Sequence, residues 1–168
     1  LITEDYYYVD KTMYIEKLEE LAEKRIMFLR PRKFGKTLFT STLENYYDIN
    51  KKDKFEKLYG ETYIGKNPTE NKNKYYMLNF DFSGMDINEN NTIDEMQDIF
   101  ANKVKEGIDA FIKKYKLDIN YSEQKTPSAI IGKTFVECRN KLKEGKIYII
   151  IDEYDNFTNG ILKGNAEK

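Results

Sequence analysis

The tripeptide Gly35-Lys36-Thr37 contains the residue types that bind the phosphates of a nucleotide. It follows the short apolar run 25–30 and precedes a segment with helical periodicity, so a helix is expected to begin there. The unpaired N–H groups and positive dipole end of a helix attract phosphate oxygens, and glycine lets the backbone approach them closely. In such loops lysine reaches the β- and γ-phosphates and the threonine hydroxyl coordinates Mg²⁺. The pattern therefore predicts a phosphate-binding loop.

This loop departs from the general pattern G-x-x-x-x-G-K-[ST] at its first position, where Arg30 replaces glycine. Pro31 follows at the point where the chain must turn. Three basic residues, Arg30, Arg32 and Lys33, surround the predicted loop, and two interpretations stay open for them. They either contact phosphate oxygens or form a solvated basic turn.

The same tripeptide occurs again as Gly132-Lys133-Thr134. This second copy lies inside an amphipathic segment, with no strand before it and no turn at Gly132. Because a phosphate loop needs a strand, a turn and a helix start, we interpret this copy as part of an ordinary helix.

A second motif consists of the apolar run 147–151 followed directly by Asp152 and Glu153. In phosphate-loop enzymes an aspartate at this position binds Mg²⁺, and an adjacent glutamate polarises the attacking water. The carboxyl ends of parallel strands meet at one edge of a sheet, so both motifs are expected at that edge. The alternative is that the two acids only cap the loop after a buried strand.

Composition excludes several other chemistries. The chain has 168 residues with 28 Lys+Arg and 29 Asp+Glu, a net charge of −1, which argues against a cationic surface along the whole chain. It contains no histidine, which removes histidine bases and histidine-ligated metals. The single cysteine, Cys138, cannot form an internal disulfide, which suits a reducing cytoplasm. No apolar run approaches the roughly 20 residues of a membrane span, so no membrane partner is expected.

The elements that must position these residues alternate between helical and strand patterns. Residues 10–24 place Tyr14, Leu18 and Leu21 at helical spacing, with Asp10 as the expected N-cap. The run 25–30 is expected to be a buried strand. The further predicted elements are a helix from the loop to about Asp48, an irregular exposed connection over 50–74 with short local structure near 55–58 and 63–64, a strand over 75–82, a helix opened by the capping box Thr92/Glu95, a helix opened by Thr126-Pro127, and a strand over 146–151.

Three segments together resemble the AAA-ATPase-like family, a group of mostly bacterial phosphate-loop proteins. They are Tyr8-Val9-Asp10-Lys11-Thr12, the segment from Phe28 to Leu38 with its phrase Arg30-Pro31-Arg32-Lys33-Phe34-Gly35-Lys36-Thr37, and Ile151-Asp152-Glu153-Tyr154-Asp155. Arg30 agrees with this family and departs only from the general loop pattern. The resemblance covers nearly the whole chain.

The resemblance implies an α/β fold, a P-loop NTPase-like three-layer α/β/α arrangement with a mainly parallel sheet. The chain carries about three of the usual five core strands, so we expect a sheet truncated before its last core strands. Residues 1–168 would then be the N-terminal part of one AAA-ATPase-like domain. Similar members commonly carry a C-terminal PD-(D/E)XK nuclease-like domain, which is not expected within this chain.

The resemblance also implies ATP and Mg²⁺ as cofactors and assigns roles to individual residues. Lys36 and Glu153 would be catalytic, and Thr37 and Asp152 would bind the metal. Residues 9–12 would pack near the nucleotide base. The nucleotide would be bound by Arg32, Lys33, Phe34, Gly35, Lys36, Thr37 and Leu38.

The leading hypothesis is a Mg²⁺-dependent ATPase in which water attacks the γ-phosphate. Two alternatives stay open: a nucleotide-sensing or assembly module without turnover, and the ATPase part of a nucleic-acid-processing protein. Homo-oligomerisation, and nucleic-acid binding through a domain outside this chain, stay open in the same way.

Overall fold

A computed structural model of the chain describes residues 8–21, 23, 25–29, 34–85, 87, 91–142 and 145–155. The chain divides into two compact units, Leu1–Tyr76 and Met77–Lys168, here called unit 1 and unit 2. Each unit is described by itself.

Unit 1 is mainly helical. Its elements are α1 (Met13–Glu20), α2 (Lys36–Tyr47), a 3₁₀ helix (Ile49–Lys54), α3 (Phe55–Tyr59) and α4 (Tyr63–Lys66). Its core is an aromatic cluster in which the Tyr46 ring meets the rings of Tyr47 and Tyr59 edge-on at centroid distances of 5.2 and 5.7 Å. The Tyr59 hydroxyl donates a hydrogen bond of 2.7 Å to the backbone carbonyl of Thr42. These contacts hold α2 and α3 together.

The segment 50–74 is only partly as predicted. The short local structure expected near 55–58 and 63–64 is confirmed as α3 and α4. The expectation that this connection is exposed is wrong for its apolar residues, because Phe55, Tyr59 and Ile64 are buried. Each short helix buries only one or two side chains. Because these few apolar residues are separated by many lysines and asparagines, the sequence pattern did not indicate that the segment packs into the core.

The predicted buried strand over 25–30 is wrong for its described part. Residues 25–29 belong to no strand, and Met27 and Leu29 are exposed by about seven-tenths. A buried strand needs neighbours that pair with its backbone and cover its two faces. No strand in the described part of the chain pairs with this segment.

Unit 2 contains the sheet and two long helices. Strands β1 (Tyr75–Asp81, beginning at the end of unit 1) and β2 (Lys146–Asp152) pair in parallel, and the chain between them forms α5 (Ile93–Tyr115) and α6 (Pro127–Lys141). Both strands and both helices lie where the sequence predicts them.

The capping signals in unit 2 are confirmed as well. Thr92 and Glu95 form a reciprocal capping box at the start of α5, and the Thr126 side chain caps α6 ahead of Pro127. Gly107 allows α5 to approach β1 closely, because a Cβ atom there would lie 2.7 Å from the Phe80 ring and 2.8 Å from the Asn79 carbonyl.

The fold is therefore a mixed α/β arrangement with a two-stranded parallel sheet in its described part. One fewer strand is present there than the three expected, since residues 25–29 do not pair. None of the helices in the described ranges combines the length and the apolar character needed to cross a bilayer.

Candidate functional site

The predicted phosphate loop leads directly into α2. Gly35 has a left-handed backbone with φ of 76°, and Lys36, Thr37 and Leu38 form the first turn. The first backbone hydrogen bond of the helix runs from the Phe39 N–H to the Gly35 carbonyl at 3.0 Å. Glycine has no side chain to cap the helix, and the positive end of the helix dipole at this first turn favours an anionic ligand such as a phosphate.

The other predicted residues of the loop are placed less completely. Arg32 and Lys33, together with Arg30, lie outside the described residues. Phe34 is 63% exposed and Thr37 is also exposed, while Lys36 is half-buried.

A cavity of about 520 Å³ lies within unit 1, beside this loop. Its described walls come from the segment before α1, from α1, from Phe28 and from the start of α2. The lining residues are Tyr8, Val9, Lys11, Tyr14, Lys17, Leu18, Leu21, Phe28, Phe34, Gly35, Leu38, Phe39 and Thr42. Three predicted loop residues, Phe34, Gly35 and Leu38, therefore border the cavity.

The cavity combines apolar and cationic groups. Its described lining contains two lysines, Lys11 and Lys17, and no acidic residue. The rings of Phe28 and Phe39 stack in its wall with centroids 5.0 Å apart. Several of its apolar residues are unusually exposed: Val9 by 55%, Tyr14 by 44%, Leu21 by 56% and Leu38 by 40%. Such a concentration of exposed apolar surface in a concave site is typical of a ligand site.

Alternate residues of the segment 9–12 face different neighbours. Val9 and Lys11 line the cavity, whereas the side chains of Asp10 and Thr12 accept hydrogen bonds from the start of α4. The expectation that Asp10 is the N-cap of α1 is wrong: the N-cap is Thr12, whose N–H and hydroxyl both donate to Asp10 at 2.8 and 2.7 Å.

These contacts affect two ionisable groups. Burial alone would raise the pKa of the Asp10 carboxyl, but hydrogen bonds from the N–H groups of Tyr63 and Thr12 and from the Thr12 hydroxyl outweigh burial and lower it. Burial, followed by the negative charge of Asp10, raises the pKa of Tyr8. At neutral pH Asp10 is thus a carboxylate and Tyr8 a neutral phenol.

The second predicted motif lies in unit 2, at the end of β2. Asp152 is the last residue of the strand, and its carbonyl accepts a hydrogen bond of 3.1 Å from the Phe82 N–H. The next residue, Glu153, has a left-handed backbone with φ of 52°, and its N–H donates to an Asp152 carboxylate oxygen at 2.9 Å. Both acids are half-buried.

The predicted metal ligands have suitable chemistry. A threonine hydroxyl and a carboxylate are the hard oxygen donors that Mg²⁺ prefers, and in phosphate sites Mg²⁺ combines one or two protein oxygens with phosphates and waters. Thr37 and Asp152 fit this donor set. Within the ranges that the structure describes, no group of three or more acidic or cysteine side chains could hold a metal by itself.

Some lining residues were not identified as functional from the sequence. Tyr14, Leu18 and Leu21 were predicted to share a helix by their spacing, and in the structure they form a wall of the cavity. The signal was present in their helical spacing, but spacing cannot distinguish packing against core from packing against a cavity. Thr42 was predicted only to lie on the inner side of its helix, and Lys17 carried no signal of its own.

The second Gly-Lys-Thr copy is confirmed as part of a helix. Gly132, Lys133 and Thr134 lie within α6. Thr134 is fully buried and its hydroxyl donates to the Ile130 carbonyl at 2.8 Å, while Lys133 pairs with Glu137 at 3.0 Å. This copy has neither the left-handed glycine nor the helix start of the first.

A family model matches the entire chain. It carries the description AAA-ATPase-like, predicted AAA-ATPase, and it covers residues 1–168. No curated protein and no solved structure matches the chain.

Proposed function

Since the chain belongs to the AAA-ATPase-like family of predicted AAA-ATPases, we propose that it binds ATP in the cavity of unit 1. The observation that supports this most is that Gly35, the N-cap of α2, and Leu38, in its first turn, both line the cavity. One ligand with an apolar part and an anionic part would occupy both the cavity and the start of α2.

The apolar part of the ligand would be the base. The cavity volume of about 520 Å³ lies within the range of small-molecule sites, and its walls are mainly apolar and aromatic. Phe28 and Phe34 supply flat surfaces against which a purine ring can pack. Val9 borders the same space, in agreement with the expected role of residues 9–12.

The anionic part would be the phosphate chain at the start of α2. Gly35 admits the phosphates closely because it has no Cβ atom, and the dipole of the twelve-residue helix favours their negative charge. The Lys36 ammonium would contact the β- and γ-phosphates. Arg32 and Lys33 would add further contacts from the loop.

We further propose that the bound ATP is hydrolysed. A water molecule would attack the γ-phosphorus, and the bond to the bridging oxygen would break, releasing ADP and phosphate. Glu153 would orient this water and accept its proton, and Lys36 would stabilise charge on the phosphate oxygens. Thr37 and Asp152 would each offer a hard oxygen ligand to Mg²⁺, which when bound neutralises charge on the β- and γ-phosphates.

Calorimetric titration of the chain with Mg-ATP tests the binding site. Lys36→Ala is expected to lower the affinity by at least about tenfold, the effect of losing a hydrogen bond between charged groups. Lys133→Ala is the matched control, because it removes a lysine from the other Gly-Lys-Thr copy, and it should bind as the parent does. Equal affinity of the parent and Lys36→Ala, or no binding by the parent, would contradict the proposal.

Steady-state phosphate release tests hydrolysis separately from binding. Glu153→Gln is expected to retain ATP affinity and to lose about 10²–10⁴-fold in turnover, the usual contribution of a general base. If the parent binds ATP but turns it over no faster than the background, hydrolysis is excluded and the nucleotide-sensing alternative is supported.

A further inference from the structure

Lys11 is a cation of the cavity wall that belongs to neither predicted motif. It lines the same space as Gly35 and Leu38, at the beginning of α2. The described lining contains no acid that could neutralise it. Lys11 is exposed, so its ammonium is solvated and remains accessible to an anionic group that enters the cavity.

The two neighbours of Lys11 are fixed to α4. An Asp10 carboxylate oxygen accepts a hydrogen bond of 2.7 Å from the Tyr63 N–H, and the Thr12 hydroxyl oxygen accepts one of 3.1 Å from the Ile64 N–H. Thr12 is 1% exposed. The Thr12 hydroxyl in turn donates to Asp10 at 2.7 Å, so the two side chains act as one unit.

These bonds account for the N-terminal donors of α4. The first two N–H groups are bound by Asp10 and Thr12, and the third, from Gly65, donates to the Thr62 hydroxyl at 3.3 Å. A further hydrogen bond joins α4 to α1, since the Tyr63 hydroxyl donates to Glu16 at 2.9 Å. The start of α4 is therefore saturated, and the backbone of residues 10–12 is held on both sides of Lys11.

We infer that Lys11 binds the phosphate chain of the nucleotide and that Asp10 and Thr12 are positioning residues that hold it at the cavity wall. This inference rests on the proposed function, because it assigns a second cation to the same site. The D-K-T sequence then has a physical reason: its outer residues bind the scaffold, and its middle residue binds the ligand.

The first test compares ligands with and without phosphate. Titrations with Mg-ATP and with adenosine are made on the parent, Lys11→Ala, Lys11→Arg and Lys57→Ala; Lys57 is an exposed lysine of α3 outside the cavity lining. We expect Lys11→Ala to lower ATP affinity by about tenfold or more and to leave adenosine affinity unchanged. Lys11→Arg should keep most of the ATP affinity, and Lys57→Ala all of it.

The outcomes separate this inference from the proposed function. Loss of ATP affinity in Lys36→Ala without any loss in Lys11→Ala would overturn the role of Lys11 and leave the ATP site standing. Absence of ATP binding in the parent would overturn both. Equal losses for ATP and adenosine in Lys11→Ala would also overturn it, because they would indicate damage to the cavity and not a lost phosphate contact.

A double-mutant cycle tests the positioning role. Thr12→Val removes the hydroxyl and keeps the shape, and we expect it to lower ATP affinity severalfold in the parent but to have no further effect in Lys11→Ala. Thr12→Ser should restore affinity, because it keeps the oxygen. Additive losses in the cycle would show that Thr12 supports the fold alone, and would overturn its positioning role even if Thr12→Val proved less stable.

Discussion

Two residues with left-handed backbones lie at the two motifs, Gly35 with φ of 76° and Glu153 with φ of 52°. For glycine this conformation carries no steric penalty, whereas for a residue with a Cβ atom it costs roughly 1–2 kcal/mol. Strained residues of this kind persist where surrounding structure holds them, and they concentrate at functional sites. Glu153 is such a residue, next to the acid that ends β2.

The two Gly-Lys-Thr copies predict opposite effects of the same substitution. Gly35→Ala should lower the free energy of unfolding by about 1 kcal/mol, because alanine is strained at positive φ although no atom blocks its Cβ. Gly132→Ala should raise it by about 0.5–1 kcal/mol, because Gly132 lies inside α6 with open space around it. Denaturant unfolding of both variants measures these free energies. Changes of the same sign would contradict the left-handed backbone of Gly35 or the helical backbone of Gly132.

The left-handed backbone of Glu153 predicts that one substitution can raise stability while it lowers turnover. Glu153→Gly removes the strain of the left-handed backbone and should raise the free energy of unfolding by up to about 1 kcal/mol. Glu153→Gln keeps that strain and should leave stability near that of the parent. Both variants should lose ATP turnover. Thermal or denaturant unfolding measures the stability of both variants, and a phosphate-release assay measures their turnover. A glycine variant less stable than the parent would contradict the prediction, because it would show that the Glu153 side chain stabilises the fold.

At the scale of elements, the shortest helix in the described part of unit 1 has a large effect on the cavity. α4 has only four residues, yet its first N–H groups bind Asp10 and Thr12 and so fix the segment that carries Val9 and Lys11 to the cavity. Glu19 of α1 has a similar effect on the loop between α4 and β1, because it accepts hydrogen bonds from Thr69 and Asn71 of that loop. It also accepts one from Tyr47 of α2, and all three bonds measure 2.8–2.9 Å. Carboxylates of the α1 region thus hold loops in place.

The lowered pKa of Asp10 predicts a pH dependence of this connection. A carboxyl group whose pKa is lower in the folded state stabilises that state above its unfolded pKa, and the stabilisation is lost as pH falls through the folded value. Protection of the Tyr63 and Ile64 amides against hydrogen exchange should therefore decrease below about pH 4. Asp10→Asn, which does not titrate, should show a flatter profile; identical profiles would contradict the role of the Asp10 charge.

At the scale of the whole molecule, the two motifs belong to different compact units. Unit 1 holds the loop, the cavity and Thr37, and unit 2 holds Asp152 and Glu153. The proposed function assigns base and phosphate binding to residues of unit 1, and it assigns the acids of catalysis to residues of unit 2. Substitution of Lys36 should therefore lower ATP affinity, whereas substitution of Glu153 should lower turnover with little effect on affinity.

Metal removal tests the proposed roles of Thr37 and Asp152. Chelation of Mg²⁺ should weaken ATP binding by the parent. The ratio of the ATP affinities with and without Mg²⁺ should be about tenfold or more smaller in Asp152→Asn and in Thr37→Val, the effect of a perturbed metal site. Affinity in the presence of chelator should stay the same in all three proteins. An unchanged Mg²⁺ effect in both variants would remove Thr37 and Asp152 from the metal site.

Local signals in the sequence determined most of the elements. α5 and α6 begin at side-chain caps that follow short sequence rules, and β1 and β2 are runs of apolar and β-branched residues. The same kind of signal separated the two Gly-Lys-Thr copies, because a helix start and a helix interior differ within a few residues. Such features depend on neighbours along the chain, which the sequence states directly.

Burial and orientation were decided only by the tertiary structure. The run 25–29 has the composition of a buried strand, yet all of its residues except Phe28 are exposed. Tyr14, Leu18 and Leu21, which share helical spacing, line a cavity. Asp10 and Thr12 bind a helix more than 50 residues away, a contact that no local pattern encodes. The periodicity of a segment indicates which of its side chains share a face. What covers that face depends on segments that are distant in sequence, and only the folded chain brings those segments together.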